Sequence, residues 1–306
     1  FFKHKTAYEI PLRLVGSEMC IRDSYQLTFP NAQVGQVVQS NQLIDVSINQ
    51  NLTNGLVVEV PIIFQTDNGF QANKSVDIQI GQVSVTDPLG PDNYGYFIYD
   101  QNDDYELAPT YDWIEIDPNY GGPGEELNNL NDNGDNGDDV VTVDLPFEFT
   151  FYGIDYDRLS ICSNGWIAFG DTDMRSFRNY TLPGPGGPPK MVAVFWDDLM
   201  TTGGGDVITY YDQLNDYFVV EWSDVRTFYN NSLESFQVIL YNTDLQTVTG
   251  DDEMKLQYKE FNNNSVGDYP VGNYDGAVIH GQYCLSLIHI SEPTRRRGIS
   301  YAVFCL

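Results

Sequence analysis

The stretch that decides the fold is residues 140–170, which read VVTVDLPFEFTFYGIDYDRLSICSNGWIAFG. Its β-branched and aromatic residues fall into short runs, and turn-forming residues separate the runs. The pattern predicts four strands, at 140–144, 147–151, 158–162 and 166–169. Ser163 lies in the turn that opens the last of these strands.

The same β pattern continues on both sides of this stretch. Further strands are expected at 94–99, 111–116, 191–196, 206–211, 217–223, 234–241, 253–260 and 275–280. No window shows a sustained period of 3.6 residues with caps, so little helix is expected. Twelve strands in about 200 residues predict a β-sandwich or jelly-roll-like domain. We place this domain at residues 84–283.

A shorter β region precedes this domain. Strand-like runs at 43–48, 57–64 and 75–80 are separated by turn signals. About four strands fit part of an immunoglobulin-like sandwich but are too few for a complete one. We therefore expect a partial immunoglobulin-like module over residues 25–83, followed by a rigid Pro-rich break at residues 87–91. The expected fold class of the whole chain is all-β.

The two ends of the chain differ from its middle in composition. Residues 1–24 and 284–306 hold three of the four cysteines and two of the three histidines. Both segments resemble translated sequencing-adapter read-through, which occurs at the edges of reading frames from assembled environmental DNA. We interpret them as artefactual tails and exclude them from fold reasoning. The natural protein is then expected to extend further in both directions.

Between the ends the chain is strongly acidic. Residues 25–283 carry eight Lys and Arg residues against forty Asp and Glu. Phosphate binding needs clustered cations, so nucleic acid is not expected as a partner. Association with anionic lipid and insertion into a membrane are not expected either. The abundance of aromatic and β-branched residues argues against disorder.

Several blocks of the sequence resemble one known setting. They are, in order, Gly90–Tyr96, Ala108–Ile116, Leu145–Phe149, Cys162–Gly170 and Phe195–Leu199. Together they resemble a non-catalytic β-domain of large secreted bacterial proteins, including gingipain-type and subtilisin-like peptidases that carry a type IX secretion sorting domain. The stretch from Phe147 to Trp166 also resembles nidogen-type extracellular domains. Residues 25–81 are similar to the immunoglobulin-like or adhesion-type repeat that often precedes such a domain.

This resemblance implies an extracellular or cell-surface location in a bacterium, and it supplies no catalytic motif. Cys162 and His280 are the only cysteine and histidine between the ends, and Cys162 ends an apolar strand, where a buried thiol is the ordinary case. Zinc would need more Cys and His ligands than these two. Among forty acids some pair will lie at glycosidase spacing, so a carboxylate-dependent enzyme stays a remote alternative. We expect this fragment not to be an enzyme.

Two groups of acidic residues are candidate calcium ligands. The loop 131–139 alternates Asp and Asn with Gly, which supplies oxygen ligands on a flexible backbone. Its candidate ligands are Asp132, Asp135, Asp138 and Asp139. The spacing departs from that of an EF-hand, and a solvated loop without metal is the alternative. Asp197 and Asp198 follow an apolar strand, so one should point inward and accept hydrogen bonds or bind a metal.

Aromatic residues indicate a further kind of ligand. The four tryptophans have apolar neighbours and are expected in the core. Five tyrosines lie among Asp and Gly: Tyr94, Tyr96, Tyr99, Tyr105 and Tyr120. Exposed rings beside carboxylates can stack on sugars, so a carbohydrate-binding module of a secreted hydrolase is the alternative function. The main prediction is a non-catalytic accessory, spacer or adhesion-type domain, whose partners are neighbouring domains of its parent protein and a glycan or cell-surface ligand.

Overall fold

In a computed structural model of the chain, the described residues are 6–11, 24–30, 36–40, 54–66, 69–89, 96–105, 108–134, 137–178, 186–242, 250–263 and 301–305. The chain divides into two units, Phe1–Asp87 and Pro88–Leu306. The regular structure of the described residues is β-strand throughout, apart from a 3-10 helix at Pro118–Tyr120. The all-β fold class with a large β-sandwich is confirmed. The finer boundaries at 24, 83 and 283 stay predictions.

The first unit contains an antiparallel four-stranded sheet in its described residues. Its strands are β1 (Thr6–Pro11), β2 (Ser24–Phe29), β3 (Val57–Thr66) and β4 (Gln71–Gln79). Their order across the sheet is β2-β1-β3-β4. The strands predicted at 57–64 and 75–80 lie within or overlap β3 and β4. The run at 43–48 lies outside the described residues.

The second unit holds the remaining strands of the described residues. They are β5 (Tyr96–Asp100), β6 (Glu125–Glu126), β7 (Val140–Phe151), β8 (Ile154–Cys162), β9 (Trp166–Phe169), β10 (Met191–Ala193), β11 (Leu199–Met200), β12 (Asp206–Asp212), β13 (Tyr217–Thr227), β14 (Leu233–Tyr241), β15 (Met254–Phe261) and β16 (Tyr301–Cys305). The smaller sheet has the order β10-β9-β8-β7. The larger has the order β5-β16-β15-β14-β13-β12-β6, and β11 also pairs with β13.

The two sheets of this unit pack around an aromatic core. Phe149 stacks on Phe169 in the smaller sheet, with ring centroids 4.9 Å apart. Trp222 stacks on Phe236 in the larger sheet at 5.0 Å, and all four residues belong to one buried cluster. Side chains alternate between the two faces along a strand, so Trp222 of β13 points into this core and the residues on either side of it point to the opposite face. We call that opposite face of the larger sheet the outer face.

The predicted strand at 111–116 is not a strand in the structure. The segment crosses the outer face, where side-chain amides rather than a neighbouring strand bond to its backbone. The runs predicted at 140–144 and 147–151 form one strand, β7, whose pairing with β8 shifts register between Asp144 and Phe149. The run at 191–196 is a strand only as far as Ala193. The run at 275–280 lies outside the described residues.

Candidate functional site

The turn between β8 and β9, Ser163–Gly165, lies at the centre of the polar groups singled out in the sequence. Ser163 and Asn164 are fully buried. Gly165 has a φ of +73°, and a Cβ at this position would lie 2.0 Å from the Phe195 carbonyl oxygen. The Gly165 carbonyl accepts a hydrogen bond of 2.8 Å from the Phe195 N–H. Glycine therefore allows the turn to approach the segment after β10 closely.

The acidic loop, residues 131–139, is bonded to this turn through its carboxylates. Asp132 is fully buried, and its Oδ2 accepts a hydrogen bond of 2.5 Å from the Ser163 hydroxyl. Asp138 Oδ1 accepts one of 2.8 Å from the side-chain amide of Asn164. Two of the four predicted loop carboxylates thus bond directly to the turn, where they act as hydrogen-bond acceptors.

Asp132 also connects the loop to the segment after β11. Its backbone N–H donates to Thr201 Oγ1 at 2.9 Å, and its carbonyl accepts from the Thr201 N–H at 3.0 Å. Burial raises the pKa of the Asp132 carboxyl, while hydrogen bonds from Ser163 and the Gly134 N–H oppose the rise. The side chain and the backbone of this one residue therefore link three segments of the chain.

The other loop carboxylates do not share the Asp132 environment. Asp139 Oδ1 lies 3.5 Å from Arg175 Nη1 in a partly exposed ion pair. Asp135 lies outside the described residues. Within the ranges that the structure describes, no three His, Cys, Asp or Glu side chains are grouped so as to hold a metal ion. Calcium binding by these residues stays a prediction, and an ion would compete with the hydrogen bonds that Asp132 and Asp138 accept.

Asp197 and Asp198 lie on the other side of the same turn. The Asp197 N–H donates to the Asn164 carbonyl at 3.3 Å. Asp197 is the buried member of the pair, and its Oδ2 accepts a hydrogen bond of 3.0 Å from the side-chain amide of Asn263. Burial raises the pKa of Asp197 well above its usual value, and the negative charge of Asp198 acts in the same direction. Asn164 therefore contacts both predicted acidic segments.

Cys162, the last residue of β8, is fully buried. Burial raises the pKa of its thiol, whereas reactive cysteines have a lowered pKa and access to solvent. Its carbonyl oxygen accepts a hydrogen bond of 2.9 Å from Trp222 Nε1. Cys162 is thus a core residue of the turn region, and His280, the one histidine between the ends of the chain, lies outside the described residues.

Two further tryptophans anchor the loop that follows β9. Trp166 Nε1 and Trp196 Nε1 both donate to the carbonyl oxygen of Ser176, at 2.9 and 2.8 Å. Both indoles are buried, as is that of Trp222. The fourth tryptophan, Trp113, is half-buried and lies in the segment that crosses the outer face.

A row of buried polar side chains on the outer face was not predicted from the sequence. Glu221, Gln237 and Gln257 come from β13, β14 and β15 and are paired in register across the sheet. Gln237 and Gln257 bond to the backbone of the extended segment 111–117, which we call the strap. One signal was present in the sequence, because Glu221 and Gln237 each interrupt an otherwise apolar run.

The strap and the 3-10 helix after it carry exposed aromatic rings. Tyr111 is 49% exposed and Tyr120 is 56% exposed. The Lys259 ammonium lies 4.7 Å from the ring centroid of Tyr120 and 5.4 Å from a ring of Trp113. Lys259 Nζ also forms an ion pair of 2.8 Å with Glu115. Rings and charged groups thus surround one ammonium group at the surface.

Tyr120 is the one member of the predicted tyrosine group that is exposed within the described ranges. Tyr96 and Tyr99 are buried and Tyr105 is half-buried, while Tyr94 lies outside those ranges. The Tyr120 hydroxyl donates a hydrogen bond of 2.5 Å to Asp224, which holds the ring in place. The aromatic surface therefore consists of Tyr120 together with Tyr111 and Trp113, which the sugar-binding prediction did not include.

A model of the family described as NIDO related matches residues 121–273, which is half of the chain. NIDO-related domains are β-rich and of extracellular type. The matched range contains β6 to β15, the acidic loop and the Ser163–Gly165 turn. Comparison with curated proteins and with solved structures finds no match. In the described part of the chain, no helix has the length and apolar character needed to cross a membrane.

Proposed function

Because the chain belongs to the NIDO-related family, we propose that it serves as a non-catalytic accessory, spacer or adhesion-type domain of a larger secreted or cell-surface bacterial protein. The observation that carries this proposal is that groups suited to catalysis are buried and engaged within the fold. Cys162 and Asp132 are fully buried, and Asp197 is almost so. The Asp132 carboxylate, the Cys162 carbonyl and the Asp197 N–H each form a hydrogen bond that joins the β8–β9 turn to a neighbouring segment, which is a structural role for these residues.

The parent protein that we propose is a secreted peptidase of the gingipain-type or subtilisin-like kind with a type IX sorting domain. This proposal is supported by the resemblance of the blocks Cys162–Gly170 and Phe195–Leu199 to the β-domain of such peptidases. In the structure these two blocks meet, since the Phe195 N–H donates a hydrogen bond to the Gly165 carbonyl. The partners of the domain would then be the neighbouring domains of that protein.

We expect the purified chain to show no hydrolytic activity. The measurement is incubation with panels of fluorogenic peptides and chromogenic glycosides at mildly acidic and neutral pH, with buffer alone as the reference. The reason is that Cys162 is fully buried and Asp197 almost so, which leaves neither side chain accessible to a substrate. Turnover that is abolished by Cys162→Ala or Asp197→Asn would contradict the non-catalytic assignment.

A carbohydrate-binding module is the second candidate, and the aromatic surface around Lys259 favours it. Aromatic faces stack on sugar rings, and adjacent charged side chains can bond to hydroxyl groups. Tyr120 is fixed by its bond to Asp224, so its ring loses little freedom on binding a ligand. The strong negative charge of the chain favours a neutral over an anionic saccharide.

We therefore expect a neutral oligosaccharide to be retained by the full chain on a glycan array. Tyr120→Ala should lower the affinity about fivefold, because a stacking aromatic ring is worth roughly 1 kcal/mol. Tyr229→Ala is the matched control, since Tyr229 is 55% exposed but lies in the turn after β13. Equal loss in both variants, or no retained glycan, would remove this candidate and leave the accessory role intact.

A further inference from the structure

The strap is held by side chains that replace a neighbouring strand. Gln257 Oε1 accepts from the Asp112 N–H at 2.7 Å, and Gln257 Nε2 donates to the Asp112 carbonyl at 2.6 Å. Gln237 does the same for Ile114, at 3.3 and 2.9 Å. Each glutamine amide thus bonds to both the N–H and the carbonyl of one strap residue. The two residues, Asp112 and Ile114, alternate along the strap as the bonded residues of a paired strand do.

Glu221 occupies the third position of this row. The backbone N–H of Ile116, the next alternate residue of the strap, interacts with the Glu221 carboxyl and opposes the rise in its pKa. Gln237 Nε2 also donates to Glu221 Oε2 at 3.3 Å, and Gln257 Nε2 donates to Gln237 Oε1 at 3.1 Å, so the row is connected from end to end. Glutamine is neutral at every pH, whereas Glu221 can gain or lose a proton.

The surroundings of Glu221 disfavour a negative charge. The side chain is fully buried, and Glu221 Oε1 has no hydrogen-bond partner among the described residues. Two strap carboxylates, Glu115 and Asp117, add negative potential, and Lys259 of β15 opposes it. Lys259 is already paired with Glu115. Its positive charge is therefore shared between Glu115 and Glu221 and offsets a negative charge on Glu221 only in part.

We propose that Glu221 is a proton-controlled latch, which holds the strap on the outer face while its carboxyl is protonated and loosens the strap when it ionises. Release would expose the amide row together with the apolar patch of Ile208, Val219 and Ile239 that Ile116 covers. It would also move Tyr111 and Trp113, so ligand binding at the aromatic surface would depend on pH. The latch does not rest on the proposed function, because it is argued from the contacts of the strap alone.

The direction of the pH dependence follows from the environment. Burial raises the pKa of Glu221 from 4.5 to about 8 in the docked state. A released strap leaves the carboxyl in water with its usual pKa, so release sets a proton free between these two values. Docking is therefore strongest below pH 4.5, weakens as the pH rises towards about 8, and changes little above that.

Hydrogen exchange of the full chain tests the latch. Corrected for intrinsic rates, the protection of the 112–117 amides should fall by up to about tenfold per pH unit between pH 5 and 8. In Glu221→Gln, which cannot ionise, it should stay constant over this range. Glu234→Gln is the matched control, because burial raises the pKa of Glu234 to about 7 but its carboxylate bonds to Asn262 rather than to the strap. This control should keep the wild-type slope.

A second variant keeps the test decisive if Glu221→Gln does not fold. Gln257→Ala removes two strap hydrogen bonds and no titrating group, so it should lower protection of the strap at every pH and leave the slope unchanged. Constant protection in the wild-type chain, or the wild-type slope in Glu221→Gln, would overturn the proposal.

Discussion

Replacing Gly165 by alanine is expected to destabilise the second unit by roughly 2–5 kcal/mol. Two costs add at this position. The backbone φ of +73° is unfavourable for a residue with a Cβ, and that Cβ would lie 2.0 Å from the Phe195 carbonyl oxygen. Relief requires the β8–β9 turn to move away from Phe195, which would break the bond between the Phe195 N–H and the Gly165 carbonyl. Urea unfolding of both proteins, followed by tryptophan fluorescence, measures the difference.

Gly170→Ala is the matched control for this substitution. Gly170 follows β9 and has a φ of +81°, but the nearest atom to its Cβ would be Tyr156 Cδ1 at 3.9 Å. The control therefore carries the backbone cost without the close approach, and we expect a loss of about 1 kcal/mol. Equal losses at the two positions would show that contact between the turn and Phe195 contributes little to stability.

Most strands of the sandwich could be predicted because alternation in the sequence reports burial. β9 was predicted to the residue, and β12 and β14 to within one residue at each end. The strap shows where this reasoning fails. Tyr111 to Ile116 alternates like a strand because one side packs on the outer face, but its backbone partners are side chains of Gln237 and Gln257 that are distant in sequence. Local pattern cannot distinguish these partners from a strand.

The candidate site was predictable in residue type rather than in arrangement. An inward carboxylate at the Asp197-Asp198 pair followed from the apolar strand before it, and Asp197 is the buried member. That Asn164 contacts both this pair and the acidic loop depends on how β8, β9 and β10 are brought together in the fold. Glu221 has an ionisable side chain, a residue type that is rarely fully buried, so its place beneath the strap could not be predicted from residue type.

Trp222→Ala is expected to have an effect as large as that of Gly165→Ala, a loss of roughly 3–5 kcal/mol in unfolding free energy. Trp222 is fully buried between the two sheets and stacks on Phe236 at 5.0 Å. Phe236 in turn stacks on Phe195, also at 5.0 Å. Truncation leaves a cavity in this aromatic stack and removes the hydrogen bond from Trp222 Nε1 to the Cys162 carbonyl.

Trp222→Phe separates the two contributions. Phenylalanine retains an aromatic ring against Phe236 but cannot donate to the Cys162 carbonyl, which is buried at the start of the β8–β9 turn. The Cys162 carbonyl would keep its 3.3 Å hydrogen bond from the Gly165 N–H, so Trp222→Phe loses one hydrogen bond, which costs about 1 kcal/mol. Hydrogen exchange should then show faster opening at Ser163, next to the carbonyl that has lost the indole donor. A loss in Trp222→Phe equal to that in Trp222→Ala would mean that the hydrogen bond, rather than the ring, fixes the turn to the larger sheet.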